Sequence, residues 1–457
     1  MEKNVGVNHE KVMTTDQQDA YDSFVSGNSI ALLGPAGTGK SFVFMKLKQF
    51  CEEKKLLTAM TAMTGIAAEL VGGRTLHSTL GLGIMTDDDD ESKHFFGKGI
   101  SLLWKDVDVL FIDEVSMLTG VLFDKLNFFA QRERQNSLPM GGIRLILSGD
   151  FLQLGPVSKS KLVYAFESKI WPVIFSIKNT FVFEKLIRQK DDPEWGQILA
   201  NLRLGICLPS EMASLALRRN QKPKLAKSIK VCNSKSMNLS NEEIDTLVQN
   251  TLHAEIVQIF PHNENVDAIN NKKLNEMIAN GAKNFEYSTT VDPGHCRATL
   301  AALGNAGKSM LQKDIKLCVG ARVMHMINDS TRNIWNGSTG KVLALTSKSA
   351  TVLFDKGLVC DIEYFVSLKN IGKVWMSIGF LPLRLCWAST VHRVQGSTLD
   401  SGRLNLAKAF AFGQVYTALS RFRTLDGVFL DGLRINSIVA CPRCLAFYDT
   451  LRRAQTK

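Results

Sequence analysis

The residues best suited to chemistry lie at positions 34–41, which read GPAGTGKS. This stretch fits the pattern G-x-x-x-x-G-K-[ST], in which glycines let the backbone wrap around phosphate groups so that backbone N–H groups point at them. Lys40 would neutralise the β- and γ-phosphates of a nucleotide, and the Ser41 hydroxyl would bind Mg²⁺. A chance glycine-rich turn is the alternative, but an apolar run precedes the stretch and a helical pattern follows it. We therefore predict a nucleotide site formed by Gly34, Pro35, Ala36, Gly37, Thr38, Gly39, Lys40 and Ser41.

Two adjacent carboxylates, Asp113 and Glu114, follow a second apolar run at residues 107–112. One carboxylate at the tip of a strand can hold Mg²⁺, and its neighbour can polarise the water that attacks the γ-phosphorus. We assign the metal to Asp113 and the water to Glu114. Such a pair could also cap a helix, but its position about 70 residues after the phosphate-loop pattern favours catalysis.

Further groups could contact the γ-phosphate of a bound nucleotide. A third apolar run, residues 144–148, leads into Gln153, which could hydrogen-bond that phosphate or be an ordinary polar loop residue. Hydrolysis that drives domain closure also needs cations near the γ-phosphate. Arg188 and Arg421 are candidates, although charge alone does not select them from the 55 lysines and arginines.

The order of apolar and polar segments predicts the fold class. Apolar runs at residues 29–33, 107–112 and 144–148 alternate with helix-period stretches, and each run ends in polar residues. This order is typical of a parallel sheet whose ligands bind along the carboxyl edge of the strands. Between about residues 317 and 380, short glycine-rich and β-branched runs indicate a small barrel inserted in the second half.

Composition excludes several classes of protein. With 45% hydrophobic and 22% charged residues among 457, the chain is neither a disordered polymer nor a small disulfide scaffold. At roughly 150 residues per domain, it has room for about three packed units. The net charge of +11 favours a polyanionic partner, either nucleic acid or an acidic membrane surface. No run of about 18 uncharged apolar residues occurs, so we predict no membrane span.

The nine cysteines have no pairing rhythm, which indicates reduced thiols in an intracellular protein. Cys441 and Cys444 have metal-ligand spacing, but no second pair is nearby, and two thiols in the core are favoured over a zinc or redox site. The first residues have neither a signal core nor presequence character. We expect the nucleus as the compartment, with the mitochondrion as the alternative.

These motifs together resemble those of the PIF-type (petite integration frequency) DNA helicases, relatives of bacterial RecD within superfamily one. The resemblance extends from about residue 13 to residue 448. In the first half it rests on residues 14–17, 34–41, 61–68, 73–77, 113–117 and 149–154, and on a family-specific stretch at 122–128 and 139–142. In the second half it rests on residues 186–189, 319–324, 336–340, 381–396 and 413–421.

The resemblance implies two RecA-like parallel-sheet domains in tandem with a small inserted SH3-like β-barrel. The first domain would span residues 1–185, with a wedge that splits the duplex at about residues 78–102. The second domain would comprise residues 186–316 and 381–457, and the barrel residues 317–380.

The resemblance also implies roles for single residues. Gln17 would recognise adenine, and Arg188 and Arg421 would be arginine fingers. The implied catalytic group is Lys40, Glu114, Gln153, Arg188 and Arg421, and the implied DNA contacts are Thr64, Gly65, His77, Thr390, His392, Arg393, Gln395 and Gly396. Three residues depart from the family pattern. Met140 replaces a usual phenylalanine. Gly155 stands where proline is usual, which would loosen its loop, and Arg393 replaces a usual lysine, which changes a point contact with phosphate into a fork.

By this resemblance we expect an ATP- and Mg²⁺-dependent DNA helicase, stimulated by single-stranded DNA and moving 5′ to 3′. It would unwind duplex DNA in replication, repair, recombination or telomere maintenance, with single-stranded and forked DNA as partners, no membrane, and a monomer as the default. The alternatives are an RNA-directed helicase and a P-loop ATPase switch that acts on protein. Residues 392–396 and 64–65 favour a nucleic-acid track, because such a switch has no need of them.

Overall fold

The computed structural model describes residues 13–82, 87–156, 162–218, 230–231, 256–261, 266–292, 314–329, 331–371 and 374–455. Two parallel sheets flanked by helices and a mainly antiparallel sheet in the second half form its framework. The predicted α/β class, with two parallel-sheet domains in tandem, is confirmed. Among the described residues, no helix has both the length and the apolar character that a membrane crossing requires.

The first parallel sheet has six strands in the order β3-β2-β4-β5-β1-β6. Its strands are β1 (Ile30–Leu33), β2 (Thr58–Ala62), β3 (Arg74–Thr75), β4 (Val109–Asp113), β5 (Arg144–Gly149) and β6 (Thr180–Val182). The helices around it are α1 (Thr15–Val25), α2 (Lys40–Glu53), α3 (Gly65–Leu70), α4 (Leu76–Leu80), α5 (Lys98–Asp106), α6 (Gly120–Arg134) and α7 (Trp171–Ile174). The apolar runs of the sequence form the central strands β1, β4 and β5.

Helices cover both faces of this sheet, which explains why its strands are apolar throughout rather than alternating. On one face, Phe24 of α1 and Phe44 of α2 pack with Phe111 of β4. On the other, Trp104 of α5 and Phe129 of α6 belong to a second core. The two cores hold the strands in register, so their carboxyl ends meet along one edge.

The second half contains the remaining strands and helices. The strands are β7 (Lys230–Val231), β8 (Gln258–Phe260), β9 (Asn284–Tyr287), β10 (Thr290–Asp292), β11 (Ile315–Cys318), β12 (Arg322–His325), β13 (Thr339–Leu345), β14 (Ser349–Phe354), β15 (Leu358–Glu363), β16 (Phe365–Ile371), β17 (Val374–Phe380), β18 (Leu383–Leu385), β19 (Ala388–Thr390), β20 (Gly402–Asn405) and β21 (Val428–Gly432). The helices are α8 (Pro193–Arg203), α9 (Pro209–Ala216), α10 (Val266–Ala279), α11 (Val391–Val394), α12 (Gln414–Leu419) and α13 (Pro442–Gln455).

The second parallel sheet has the order β19-β8-β20-β21. Its core includes Trp195 of α8, Ile259 of β8, and Val415 and Leu419 of α12. Short parallel strands packed against helices therefore repeat the design of the first sheet with fewer strands.

The mainly antiparallel sheet has the order β18-β12-β13-β14-β15-β7, and only its β15–β7 pair is parallel. Its strands β7 and β18 lie outside residues 317–380, so the segment predicted as the insertion does not contain every strand of this sheet. A two-residue strand such as β7 carries no pattern in the sequence. The SH3-like identity of this unit stays a prediction.

The last helix, α13, packs on the first parallel sheet rather than on the second. Cys444, Tyr448 and Leu451 lie in the same core as Leu118, and Phe447 stacks on Phe166 with ring centroids 4.3 Å apart. The prediction placed residues 381–457, and with them α13, in the second domain, whereas this helix packs on the first. Helical periodicity shows that a face is buried, but not which core receives it.

Candidate nucleotide site and nucleic-acid track

The phosphate-loop stretch connects β1 to α2, as the sequence predicts, and its glycines have left-handed backbones. Gly34, Gly37 and Gly39 have φ angles of 131°, 88° and 88°. A Cβ atom on Gly34 would lie 2.2 Å from the carbonyl oxygen of Phe183, and one on Gly37 would lie 2.6 Å from Cβ of Arg188. A loop that only glycine can form, leading into a helix N-terminus, fits the phosphates of ATP.

The two charged or polar groups of the loop lie at the start of α2. Lys40 Nζ donates hydrogen bonds to the carbonyl oxygens of Gly34 and Pro35, and the donor–acceptor distance is 2.7 Å in each. Burial lowers the pKa of Lys40 to about 8, although the carboxylates of Asp150 and Glu114 oppose that shift. Ser41 is exposed at the beginning of the helix. Lys40 is thus folded onto its own loop, with an ammonium that gains from any phosphate placed beside it.

Gln17, the predicted adenine contact, lies against the phosphate loop. Its Nε2 donates to the Thr38 carbonyl oxygen over 3.2 Å, and its Oε1 accepts from the Thr14 backbone N–H over 3.1 Å. The side chain is buried. Gln17 therefore connects the first turn of α1 to the loop, and its contact with adenine stays a prediction.

Asp113 and Glu114 stand at the carboxyl end of β4, beside the loop. The Glu114 backbone N–H donates to Asp113 Oδ1 over 2.9 Å. Burial, followed by the neighbouring carboxylate of Glu114, raises the pKa of Asp113 well above its ordinary value. A dication would relieve this unfavourable negative charge, so the pair fits a Mg²⁺ ion.

Glu114 itself has an unusual backbone and a buried side chain. Its φ and ψ angles are 55° and 47°, in the left-handed region that non-glycine residues rarely occupy. Such strain is often found at functional sites. The turn directs the carboxylate toward residues of the second domain, as the contacts below show.

Arg188 and Arg421, which lie far apart in sequence, meet at this cleft. Arg421 Nη2 donates to Gln153 Oε1 over 3.0 Å, and Arg188 Nη1 donates to the Ser420 carbonyl oxygen over 3.0 Å. Burial lowers the pKa of both guanidinium groups, that of Arg188 to about 9, and their mutual repulsion adds to the shift of Arg188. The structure thus brings Gln153 and the two predicted arginine fingers together.

A buried polar network that the sequence did not predict centres on Asp150. Arg203 Nε and Nη2 donate to the two carboxylate oxygens over 2.9 and 2.8 Å. Tyr448 OH donates to Oδ1 over 3.0 Å, and Tyr416 OH lies 3.4 Å from Oδ2 while accepting from the Ala36 backbone N–H. Burial alone would raise the pKa of Asp150, but Arg203 holds it below its ordinary value.

This network connects the phosphate loop, β5, α8, α12 and α13 through one carboxylate. Asp150 was visible in the sequence as a charge after an apolar run, but its partners are 53 and 298 residues away. Neither periodicity nor local spacing could pair them. A buried Tyr–Asp–Arg cluster of this kind rigidifies the elements it joins.

The first group of predicted DNA contacts follows β2. Thr64 precedes α3, and its Oγ1 accepts from the Ala67 backbone N–H over 3.2 Å. Gly65 is exposed, and His77 lies half-buried in α4 with a pKa lowered by burial. Thr64 and His77 are therefore held by short helices at the carboxyl ends of β2 and β3, with Gly65 exposed between them in sequence.

The second group surrounds α11 and divides into exposed and buried side chains. Arg393 is exposed and forms a bidentate ion pair with Asp267, over 2.5 and 2.7 Å. His392 is half-buried. Thr390 caps α11 by accepting from the Arg393 backbone N–H over 3.2 Å and is buried.

Gln395 is fully buried, and its Nε2 donates to Glu114 Oε2 over 3.1 Å. The side chains of Thr390 and Gln395 do not reach a surface, so neither is presented to DNA in this conformation. Gly396, with φ of 84°, carries the chain past the Glu114 carboxylate.

The segment predicted as the wedge, residues 78–102, is anchored on α6. Lys125 Nζ donates to the Asp87 carbonyl oxygen over 2.9 Å, and Arg132 Nη1 donates to the His94 carbonyl oxygen over 2.8 Å. Phe95 is 80% exposed. Residues 83–86 lie outside the described part of the chain, and the role of the segment stays a prediction.

The thiols of Cys441 and Cys444 are buried in the core at the start of α13. They are free thiols. Within the described residues, no group of three or more His, Cys, Asp or Glu side chains is arranged to hold a metal ion. Their positions fit the interpretation as core residues.

Comparison with known proteins places these features in a family. The sequence profile described as PIF1-like helicase matches residues 12–205. An ATP-dependent DNA helicase Pif1 of Bdellovibrio bacteriovorus is 30% identical over 448 residues, which cover 96% of this chain and 92% of the relative. Human ATP-dependent DNA helicase PIF1 is 30% identical over 453 residues, 97% of this chain. The chain spans 64% of the length of that human relative.

Solved structures agree in fold over nearly the whole chain, and they confirm the RecA-like character of the two parallel-sheet domains. The structure of Bacteroides Pif1 in complex with ADP-AlF4 is 25% identical, with a TM-score of 0.73, and 97% of this chain and 98% of that chain are covered. The TM-score with unliganded Bacteroides Pif1 is 0.71, with the same coverage and sequence identity. Bacteroides Pif1 bound to single-stranded DNA gives 0.63 at 25% identity and covers 98% of both chains. The chain belongs to the PIF1-like helicase family.

Proposed function

We propose that this chain is an ATP-dependent DNA helicase whose ATPase is stimulated by single-stranded DNA. The observation that carries the proposal is the meeting of both parallel-sheet domains at one phosphate cradle. Lys40 and Gln153 come from the first domain, and Arg421 comes from the second and donates a hydrogen bond to Gln153. A cleft with this composition couples the state of the nucleotide to the relative position of two domains.

In the proposed site, residues 34–41 bind the phosphates of ATP, and Ser41 and Asp113 would hold a Mg²⁺ ion. When bound there, the ion would supply positive charge against the phosphates. Glu114 accepts a proton from the attacking water, and Arg188 and Arg421 neutralise charge on the transferred phosphoryl group. Their buried positions strengthen these interactions, because the surrounding dielectric is low.

In the proposed nucleic-acid track, DNA crosses both domains along the carboxyl ends of their strands. Thr64, Gly65 and His77 form the contact on the first domain, and His392 and Arg393 form that on the second. The net charge of +11 suits a phosphate backbone. Alternate closing and opening of the cleft would move the two contacts relative to one another, 5′ to 3′ along the strand.

The domain limits that we propose follow from this division. Residues 1–185 form the first domain with its wedge, and residues 186–316 and 381–457 form the second around a small SH3-like barrel. Three elements are exceptions. Helix α13 packs on the first domain, and strands β7 and β18 pair with the mainly antiparallel sheet.

The proposed substrates are single-stranded and forked DNA, in replication, repair, recombination or telomere maintenance. Relatives from Bdellovibrio and human are named ATP-dependent DNA helicases, and a related Pif1 structure addresses unwinding at forked duplex DNA. We propose a monomeric intracellular motor, in the nucleus or, as the alternative, in the mitochondrion.

Strand separation tests this function directly. A forked DNA duplex with one labelled strand should be unwound with ATP and Mg²⁺, and the Lys40→Ala variant should leave it intact. Duplexes with a single 5′ or 3′ tail decide polarity, and only the 5′-tailed duplex should open. Unwinding of RNA-tailed duplexes alone would indicate an RNA track, and ATP hydrolysis without separation of any duplex would favour a switch that acts on protein.

A further inference from the structure

A buried glutamine of the second domain contacts the carboxylate that we propose activates water. Gln395 Nε2 donates to Glu114 Oε2 over 3.1 Å and to Ser116 Oγ over 3.3 Å. The side chain is 0% exposed. The link spans 281 residues of sequence and joins the segment after α11 to the end of β4.

We infer that Gln395 is a positioning residue that restrains Glu114 while DNA is absent, and that DNA binding to the neighbouring residues releases it. The inference rests on the proposed function, because it assigns the coupling between DNA and hydrolysis to one hydrogen bond. Gln395 itself contacts neither nucleotide nor DNA and acts through Glu114.

The chemistry of the carboxylate favours restraint over activation. A general base needs a carboxylate oxygen free to accept the proton of the attacking water. In the observed contact, the amide N–H₂ of Gln395 donates to Oε2, so this oxygen is already engaged and the carboxylate is held toward the second domain. Glu114 is also held in a left-handed backbone conformation, with φ of 55°. Its side chain is therefore fixed from both ends.

Within the described part of the chain, only the Nε2 end of the Gln395 amide has hydrogen-bond partners. Its Oε1 is buried and has no hydrogen-bond partner among the described residues. A buried acceptor without a partner destabilises the arrangement that contains it. A shift of the segment that gives Oε1 a partner would offset part of the cost of breaking the contact with Glu114, which is the property a release step needs.

The position of Gln395 connects it to the proposed DNA track. Arg393, which is exposed, precedes it by two residues, and Gly396 follows with φ of 84°. A Cβ atom on Gly396 would lie 3.4 Å from Glu114 Oε1, so this segment runs directly over the carboxylate. Contact of His392 and Arg393 with phosphate would displace the same short segment.

The arrangement as a whole is nearer to a DNA-free relative than to a DNA-bound one. The TM-score is 0.71 with unliganded Bacteroides Pif1 and 0.63 with Bacteroides Pif1 bound to single-stranded DNA. The Gln395–Glu114 hydrogen bond is therefore observed in an arrangement closer to the DNA-free relative, the state to which we assign the restraint.

Steady-state ATP hydrolysis without DNA tests the inference. Gln395→Met keeps the volume of the side chain but removes its donor, and Gln395→Leu provides a second variant should the first fold poorly. Because a hydrogen bond to a charged group is lost, we expect the basal kcat to rise about tenfold, with the KM for ATP within about twofold of wild type. The rate at saturating single-stranded DNA should not change, so the stimulation should fall by the same factor.

Two controls separate this role from a structural one. Ser397→Ala removes a hydrogen bond to the Val394 carbonyl oxygen in the same segment but leaves Gln395 in place, and it should keep the basal rate of wild type. In a Glu114→Gln background, Gln395→Met should have no effect, because the residue on which it acts is absent.

The basal rates of the Gln395 variants test the inference, and the response of the wild-type protein to DNA tests the proposed function. A basal rate that is unchanged or lower in both Gln395 variants would overturn the inference, as would an increase that persists in the Glu114→Gln background. A wild-type protein that single-stranded DNA does not stimulate would instead contradict the proposed function, and the basal rates would still decide whether Gln395 restrains Glu114.

Discussion

Arg421 of the second domain donates a hydrogen bond to Gln153 of the first, with Nη2 and Oε1 3.0 Å apart and the guanidinium 1% exposed. Each residue alone is an unremarkable polar group in the sequence. Together they form a contact across the cleft. A nucleotide bound in the phosphate loop would lie beside this contact. Hydrolysis and domain movement are therefore expected to depend on the same pair.

Replacing Arg421 should remove catalysis and leave DNA binding intact. Arg421→Ala takes away a buried cation that we propose neutralises charge on the γ-phosphate, and arginine fingers contribute about 10³-fold or more to phosphoryl transfer. We expect a fall in DNA-stimulated kcat of at least about 100-fold. Affinity for single-stranded DNA, measured by fluorescence anisotropy, should change little. A matching loss of DNA affinity would show that Arg421 contacts the strand.

A suitable control for this variant is Arg423→Ala. Arg423 is close in sequence, but its side chain is 39% exposed and pairs with Asp400 over 3.8 Å. We expect it to retain most of the wild-type rate, which would exclude a general effect of lost positive charge.

Glu114→Gln should separate binding from hydrolysis. The amide keeps the size of the carboxylate but cannot accept a proton from water, so ATP should bind and turn over slowly, by a factor of about 10²–10⁴. Binding of a fluorescent ATP analogue and single-turnover hydrolysis measure the two properties. Loss of nucleotide binding in this variant would move Glu114 into the ligand shell.

ATP binding should weaken at alkaline pH because of Lys40. Burial lowers the pKa of its ammonium to about 8 in the free protein, so the charge is lost as the pH rises through that value. Bound phosphates favour the protonated form and raise the pKa. Linkage then predicts a Kd for ATP about tenfold higher at pH 9 than at pH 7.

Lys40→Arg is the control for this pH dependence, since arginine keeps its charge throughout the range. Its affinity for ATP, although lower, should be nearly independent of pH. An equally flat profile in the wild-type protein would contradict the assignment of the phosphate contact to Lys40.

The buried pair of Arg203 and Asp150 should be essential for stability. Arg203→Ala leaves the Asp150 carboxylate buried and uncompensated, which costs about 3–5 kcal/mol in comparable pairs. Denaturant unfolding measures the change in the free energy of unfolding. The exposed pair of Arg452 and Glu184, 3.0 Å apart, provides the control, and Arg452→Ala should cost less than about 1 kcal/mol. Equal effects of both changes would contradict the central role of the network.

Removing the partner of Arg393 should strengthen DNA binding. Asp267 holds this arginine in a bidentate, exposed ion pair, which phosphate must replace. We expect Asp267→Asn to raise affinity for single-stranded DNA about threefold at low salt, with a smaller gain at high salt. Asp431→Asn, which breaks the exposed pair with Arg403, makes the same change in net charge elsewhere. An identical gain in both variants would indicate a general charge effect.

The sequence predicted those parts of the molecule that depend on local patterns. Residues 34–41 carry their geometry in their glycines, and β4 ends at Asp113, as its apolar run indicated. The fold class and the family followed from such stretches. Parallel strands with polar carboxyl ends leave little freedom in where a ligand binds.

The sequence could not predict which distant residues would meet. The family resemblance implied that Gln395 faces DNA, yet its side chain turns inward to Glu114. The partners of Asp150 come from helices α8, α12 and α13, and the side of α13 that packs on the first domain has the same periodicity as any buried helix face. Such pairings are decided by tertiary packing, which a one-dimensional pattern does not contain.

ATP hydrolysis in this cleft should depend on single-stranded DNA if the chain is the proposed motor. Steady-state ATP hydrolysis with and without single-stranded DNA tests it most directly, with single-stranded RNA and duplex DNA as comparisons and Lys40→Ala as the inactive control. We predict strong stimulation by single-stranded DNA, weak stimulation by the other two, and no turnover in the variant. Hydrolysis indifferent to every nucleic acid, with Lys40→Ala inactive, would leave the nucleotide site intact and contradict the motor.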